Sequence, residues 1–496
     1  MSKACRDARS SRAASPGVRE PSRPNPEAGV AACALLAAAL AGCVHYAPRP
    51  LPPERIVASF SDRSLNDPKL HALLDARLPA RAAHWPRQQW DRADLLLAML
   101  HFNDAIAQGR AAVQVATAGR RTARERPNPS VALLAEYANQ HDGSPLWLWG
   151  LTPDWLLDVG TKRRTRIALA DLGARQAQYE FTEVAWKQRG ALRRAAAEWL
   201  LAEREGTLLE TVHADRGAQL EMASRRLQLG AAARGDLDRL VGDAVLDEQR
   251  LHDARRRASA ARSALDAAIG VPVAALGSLQ LDWERLDNPP DVDEKLLQRW
   301  REEALLARAD VHSAVVGYSL AEEALRFEVA RQYPDVHIGP AYTWDHGIKR
   351  LQFNLSVALP ILNRNAGAIG EAEARRALSG AKLESVVAAA YQEIDEAIRQ
   401  WRLALARLAQ ARGPLYEAAQ HIYAETERGF EAGANDRTEL VAARIARTLA
   451  ELQVVDAVRT AQEALAVLED AMRRPLEGPE LDVAATLTLP PEAKRE

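Results

Sequence analysis

Few side chains in this sequence are of a type and spacing that could do chemistry. There are three cysteines, Cys5, Cys33 and Cys43, all in the first tenth of the chain. Two histidines, His141 and His346, sit in HDG and DHG turns beside an aspartate and a glycine. Each turn has a single imidazole, which is simple turn chemistry rather than a metal ligand set. His101, His213, His252 and His312 are isolated on helical patterns. Two carboxylates, Asp236 and Glu439, each follow a glycine, Gly230 and Gly433, by six positions. An acidic residue so placed suits the first turn of a helix, where the dipole favours negative charge. No HExxH, CxxC, GxxxxGK[ST] or GxSxG pattern occurs, so the common metal, nucleotide and acyl-transfer signatures are absent. The expectation is a non-enzyme without a cofactor or a metal site.

The elements that would position these residues begin with an address. Arginines and a lysine (Lys3, Arg6, Arg9, Arg12, Arg19, Arg23) precede an apolar run from Gly29 to Gly42. That run is short for a spanning helix and suits the core of a secretory signal, 1–42. Its end, Leu40-Ala41-Gly42-Cys43, resembles the lipobox of bacterial lipoproteins, in which the chain is cut before the cysteine. The resemblance makes Cys43 the lipid-bearing first residue of the mature chain. Cys5 and Cys33 lie in the removed segment, which leaves no thiol for a disulfide or a thiolate site. Several lipid chains anchor firmly, at about 0.8 kcal/mol per buried CH₂.

Lysine plus arginine (65) nearly balance aspartate plus glutamate (67), so no basic field gathers nucleic acid. Aromatic content is 5% and alanine is abundant, which favours long narrow-faced helices over one large core. A repeat then organises the chain. Pro129 matches Pro334, Tyr137 matches Tyr342, His141 matches His346 and Asp158 matches Asn363, each pair 205 positions apart. Further on, Gly230 matches Gly433, Leu237 matches Leu440 and Leu265 matches Leu468, each 203 apart. The chain is a tandem duplication, with one small deletion.

Each unit reads as helix, β-hairpin, very long helix, turn, helix. Unit one, 91–285, has strands over Ser130–Asn139 and Leu146–Leu157 (hairpin 130–157) and a helical hairpin 163–269. Its long run Arg163–Leu227 would span roughly 100 Å at 1.5 Å per residue. Unit two, 307–473, has strands Asp335–Trp344 and Leu351–Leu359 (hairpin 335–359) and a helical hairpin 368–472. Its long helix runs from about Ala368 to Gly429. An N-terminal segment 43–90, a linker 286–306 and a tail 474–496 complete the expected organisation.

The strand LQFNLSVAL, Leu351 to Leu359, alternates without exception. Leu351, Phe353, Leu355, Val357 and Leu359 share one face; Gln352, Asn354, Ser356 and Ala358 share the other. Val336, Ile338, Tyr342 and Trp344 alternate in the same way. Lengths near the roughly 9–11 residues of a tilted spanning strand suggest lipid on one face and water on the other. Trp147, Trp149, Trp155 and Trp344 suit aromatic girdles. Four strands cannot close a barrel, for which about eight is the practical minimum, and in a bilayer every backbone group must be paired. A ring of subunits is the smallest solution. A plain antiparallel coiled coil explains the helices but not the hairpins.

The duplicated unit, the lipobox followed by YAPRPLPPE, the segments DVGTKRR and LNRNAGAIGEAEA, and the paired glycine turns together resemble the TolC family of outer-membrane factors. The resemblance covers nearly all of the mature chain. It implies a mainly α fold with a small β part. Duplicated long-helix hairpins would form an α-barrel tunnel, with four strands per chain in a shared twelve-stranded barrel of a homotrimer. It further implies an outer-membrane channel of a tripartite efflux system, partnered by a periplasmic membrane-fusion adaptor and an inner-membrane pump. DVGTKRR resembles the branch that serves cation and solvent pumps of the resistance-nodulation-division type. The turns at Leu227, Gly230 and Leu237 and at Phe430, Gly433 and Leu440 would form the periplasmic tip and dock the adaptor. Threefold symmetry would turn Asp236 and Glu439 into acidic rings able to gate. A second acidic position common in the family, a turn later, is Arg239 and Ala442 here. A periplasmic coiled-coil scaffold or adaptor lipoprotein without a pore is the alternative.

Overall fold

The computed structural model describes residues 46–79, 85–137, 146–277 and 279–487; the leader, Cys43 and His141 lie outside them. The chain divides into two units between Ala58 and Ser59. In the first, an irregular stretch from Tyr46 leads into the start of helix α1 (Pro53–Ser61), opened by a proline at the position where its missing N–H costs nothing.

The second unit begins with α2 (Pro68–Arg77), capped by the Asp67 side chain. After strand β1 (Gln89–Trp90) comes α3 (Arg92–Phe102), started by an Asp91–Asp94 capping box. Asn103 then caps α4 (Asp104–Arg124). Strands β2 (Ser130–Tyr137) and β3 (Trp147–Leu157) lead into α5 (Lys162–Gln228), an unbroken helix of 67 residues, and α6 (Arg234–Ile269) returns along it. Strand β4 (Gln280–Leu281) pairs in parallel with β1. Much of the expected linker 286–306 is helix α7 (Glu294–Ala307), because Asp293 supplies an N-cap and Leu297, Ala304 and Leu305 a buried face.

The pattern then repeats. Helix α8 (Ala309–Ala330), strands β5 (Val336–Asp345) and β6 (Ile348–Val357), and α9 (Ala366–Gln410) follow. Helix α10 (Ala418–Glu431) and α11 (Arg437–Met472) complete the unit. Both return helices, α6 and α11, are 36 residues long. The second long helix is not continuous as expected: Ala411–Glu417 is π-helical, with Pro414 inside it. Proline has no N–H to donate and its ring crowds the carbonyl four residues back, and a wider turn absorbs both faults.

Packing is a linear series. Helix α4 lies on α5, and α8 between α5 and α9. Further along, α6 lies on α5, and α11 between α5 on one side and α9 and α10 on the other. One apolar core gathers Trp90, Leu96, Met99, Phe181, Trp186, Leu265 and Ile269; a second gathers Ile394, Trp401, Leu465, Leu468 and Met472.

Between α5 and α11 lies a buried charge cluster. The Glu469 carboxylate, fully buried, accepts from Arg189 at 2.8 Å and from the Leu476 amide at 2.8 Å, and pairs with Arg193 at 2.9 Å. Arg189 also donates to Glu480 at 2.6 Å, and Arg193 to Gln462 at 3.0 Å. Trp283 is flanked by the guanidinium groups of Arg92 and Arg193, 4.5 and 5.2 Å from its ring. The C-terminal tail 474–496 enters the interior at Glu477 and Glu480, both buried.

Candidate functional site

The sheet is built from its second hairpin. His346 and Gly347 both have positive φ, 49° and 98°, as a two-residue turn with the twist of the strands requires. The imidazole Nδ1 lies 2.7 Å from Asp345, which also pairs with Arg350 at 2.7 Å. This turn sets the register Asp345↔Ile348 through Val336↔Val357. The strand therefore starts three residues before Leu351 and ends two before Leu359, because β5 begins at Val336 and offers no partner beyond it. Strand order is β2-β3-β5-β6, antiparallel throughout.

Residues directly opposite in a sheet share a face, and the register gathers every aromatic side chain on one face and nearly every polar one on the other. One face carries Val131, Leu133, Tyr137, Trp147, Trp149, Leu151, Trp155, Leu157, Val336, Ile338, Tyr342, Trp344, Leu351, Phe353, Leu355 and Val357, with Lys349 opposite Trp344 as its one charge. The other carries Ser130, Glu136, Thr152, Asp154, His337, Thr343, Arg350, Gln352, Asn354 and Ser356, with Leu134, Leu148, Leu156 and Ile348 among them. Near the turns, Trp149 lies 5.6 Å from Tyr342 and 6.4 Å from Trp344, and Tyr137 meets Trp147 edge-on at 5.1 Å. On the polar face His337 Nδ1 lies 2.8 Å from Asp154. Every residue of the outer strands β2 and β6 is exposed, on both faces. Each outer strand also leaves one row of backbone donors and acceptors unpaired within the chain.

Gly339 shows how tightly the two hairpins meet: a Cβ there would stand 2.0 Å from the Pro153 carbonyl oxygen. At the strand–helix junctions Lys162 donates to Asp335 at 2.6 Å, and Asn365 reaches the Glu328 carboxylate at 2.7 Å.

At the far ends of the long helices the two glycine turns have the same form. Gly230 (φ 71°) and Gly433 (φ 76°) end their helices in the left-handed region, where glycine alone is unstrained. Ala231 donates to the Arg226 carbonyl, and Ala434 to that of Gly429, closing the same six-residue loop. Leu227, Leu237 and Leu440 are half-buried and Phe430 is 40% exposed. The two acidic positions differ. Glu439 completes a capping box with Asp436, whose carboxyl is held low first by the Glu439 amide. Asp236 bonds Arg239 at 3.3 Å, and the start of α6 has no side-chain cap.

The two turns of one chain are also tied together. Arg226 lies 3.3 Å from Asp436, and Arg444 grips Asp215 with two nitrogens, one at 2.7 Å. Sequence reasoning missed these ties, since nothing local marks partners more than two hundred positions apart. Among the described residues no group of three or more His, Cys, Asp or Glu could hold a metal ion, and no helix is long and apolar enough to cross a membrane.

Residues 300–472 match the family model "Outer membrane efflux protein". No curated protein sequence matches the chain. Among solved structures it is similar to the outer membrane protein VceC of Vibrio cholerae, with 17% identity, 78% of this chain and 97% of that one covered, and a TM-score of 0.63. It is similar to the open state of the Neisseria gonorrhoeae MtrE outer membrane channel, with 18% identity, 78% and 89% covered, and a TM-score of 0.63. The outer-membrane channel OprN gives 15% identity, 87% and 99% covered, and a TM-score of 0.64. The chain thus has the fold of the TolC-like outer-membrane channels and carries, over residues 300–472, an outer membrane efflux protein domain.

Proposed function

We propose that this protein is the outer-membrane channel of a tripartite efflux system. Three copies close a twelve-stranded barrel, with β6 of each pairing to β2 of the next. The carrying observation is the sheet itself, with one face apolar except for Lys349 at its end, an opposite face that holds nearly all the polar side chains, and two unpaired edges. The apolar face meets lipid, where burying a side chain such as Phe353 contributes about 1.5–3 kcal/mol. Gln352, Asn354 and Ser356 line water. The helices form a periplasmic tunnel, and acylated Cys43 anchors the N-terminus in the outer membrane.

With no nucleotide or metal signature in the sequence, the energy for transport comes from an inner-membrane pump of the resistance-nodulation-division type. A membrane-fusion adaptor links that pump to the tip formed by Leu227, Gly230, Leu237, Phe430, Gly433 and Leu440. Asp236 and Glu439 ring the entrance. Detergent extraction of the outer-membrane fraction, native mass and planar-bilayer conductance test this reading together. A trimer that conducts is expected, with Asp236→Asn plus Glu439→Gln raising conductance while the glutamine keeps the cap. A monomer absent from the outer-membrane fraction would sink the channel, and unchanged conductance in the double variant would leave Glu439 to its capping box and Asp236 to its pair with Arg239.

A further inference from the structure

The strand–helix junctions of the two repeats, at the end of the sheet away from the hairpin turns, differ in charge. In the first repeat the end of α4 and the start of α5, residues 120–126 and 158–171, carry eight lysines and arginines against three carboxylates, Glu125, Asp158 and Asp171. The equivalent positions of the second repeat, 205 further on, carry five against three. Lys162, Arg163 and Arg164 stand where the second repeat has Gly367, Ala368 and Ile369.

Five of the eight cations are occupied within the chain. Lys162 donates to Asp335 at 2.6 Å, Arg120 pairs with Asp171 at 3.1 Å and Arg124 approaches the same carboxylate at 3.9 Å. Arg163 donates to the Arg124 carbonyl at 2.7 Å, and Arg166 to those of Ala123 and Glu125 at 3.2 and 3.3 Å. The other three, Arg121, Arg126 and Arg164, are exposed, and their side chains have no partner among the described residues. Helix positions two apart lie on nearly opposite sides, so Arg164 faces away from Lys162 and Arg166 and from the elements those two hold. In the second repeat the matching arginines are neutralised, Arg326 by Glu323 at 2.6 Å and Arg331 by Glu328 at 3.1 Å.

The place of the three free guanidinium groups fits one kind of ligand. At this end of the sheet the apolar face finishes with Trp155 and Leu157, both exposed. Arg126 lies four residues before β2, at most about 14 Å along the chain, and Arg164 is in the first turn of α5. The three therefore stand where the headgroups of a bilayer seated on that apolar face begin. A guanidinium fork matches a phosphate, and an anionic lipid surface attracts such cations over about a Debye length. We infer that Arg121, Arg126 and Arg164 form a docking patch for the phosphate headgroup of an anionic phospholipid, in the leaflet nearest the helices. The second repeat has no such patch, so each chain holds that leaflet at its first junction. This rests on the membrane-spanning sheet proposed above.

Native mass spectrometry of the detergent-solubilised full-length protein tests it, with phosphatidylglycerol and phosphatidylethanolamine added at equal concentration. Wild type is expected to retain phosphatidylglycerol in preference. Arg121→Gln plus Arg126→Gln plus Arg164→Gln should weaken that binding by about tenfold or more, since each arginine near an anionic surface contributes a severalfold factor. Arg326→Gln plus Arg331→Gln should leave it unchanged, and both variants should keep the native mass and conductance of wild type. Replacing chloride by inorganic phosphate at the same ionic strength should not displace the lipid. The patch is overturned if wild type shows no preference, if the triple variant binds as wild type does, or if the second-repeat variant loses as much. Displacement by inorganic phosphate would overturn it too, by assigning the arginines to a free anion. A conducting trimer without the preference overturns the patch alone; a monomer that does not conduct overturns the channel, and the patch with it.

Discussion

Replacing Glu469 by glutamine tests the account of the interior most directly. The carboxylate is fully buried, yet it binds two guanidinium groups and a backbone amide. Burial alone would raise its pKa; the charges of Arg189 and Arg193 and the Leu476 amide outweigh that and hold it at about 2. Against the ordinary 4.5, this is a preference for the charged form of about 3 kcal/mol. Breaking a buried pair by removing one partner costs about 3–5 kcal/mol, which agrees. At about 2.1 cal/mol/K of unfolding entropy per residue, a chain this long has close to ~1 kcal/mol/K, so Tm should fall by only about 3 °C at pH 7.

The pH dependence is the sharper readout. A carboxyl whose folded pKa lies below its unfolded value contributes stability that is complete above about 4.5 and lost as pH falls toward 2. The Tm difference between wild type and Glu469→Gln should therefore be flat from pH 7 to 5 and shrink below 4.5. Calorimetry of the detergent-solubilised protein measures it. A difference that is absent at pH 7, or that persists undiminished at pH 3, would refute the reasoning.

Two other substitutions probe different physics. Asp266 is buried, and neither carboxylate oxygen has a hydrogen-bond partner among the described residues; burial pushes its carboxyl up to about 6, against a weaker pull from Arg262. A raised acid costs stability above that pKa and nothing below its unfolded value, so Asp266→Asn should raise Tm by about 2–3 °C at pH 8 and leave it unchanged at pH 3; calorimetry at the two pH values decides. Gly339→Ala should force the hairpins apart at Pro153, at a cost of about 1–3 kcal/mol, and lower the temperature at which the assembled protein loses its resistance to SDS, read by gel shift.

What could be read in the sequence was what repeats locally. Leu351, Phe353, Leu355 and Val357 announce a strand because an apolar and a polar side impose a period of two, and the glycine turns stand out because only glycine takes their backbone without strain. The strand ends were not readable: Leu359 continues the alternation but has no partner, since pairing is set by His346–Gly347 and the start of β5. Pro414 was visible, but its accommodation by a π-helical turn depends on the whole helix staying docked. Arg189, Arg193 and Glu469 look like parts of solvated helix faces. Their burial follows from a meeting of segments about 280 positions apart, which no local pattern encodes.

Duplication also bears on how a ring is built. For the three-copy ring proposed above, six separate units would need five successive encounters, each losing translational and rotational freedom at about 4–15 kcal/mol, whereas three fused pairs would need two. Fusion makes half of the joins intramolecular, so they form at high effective concentration before any partner arrives. It also frees the two halves to diverge, since a change in one no longer alters every join in the ring. Arg444 and Asp215 form an ion pair while the positions 203 away in the other repeat are Val241 and Ala418, a divergence that fusion permits.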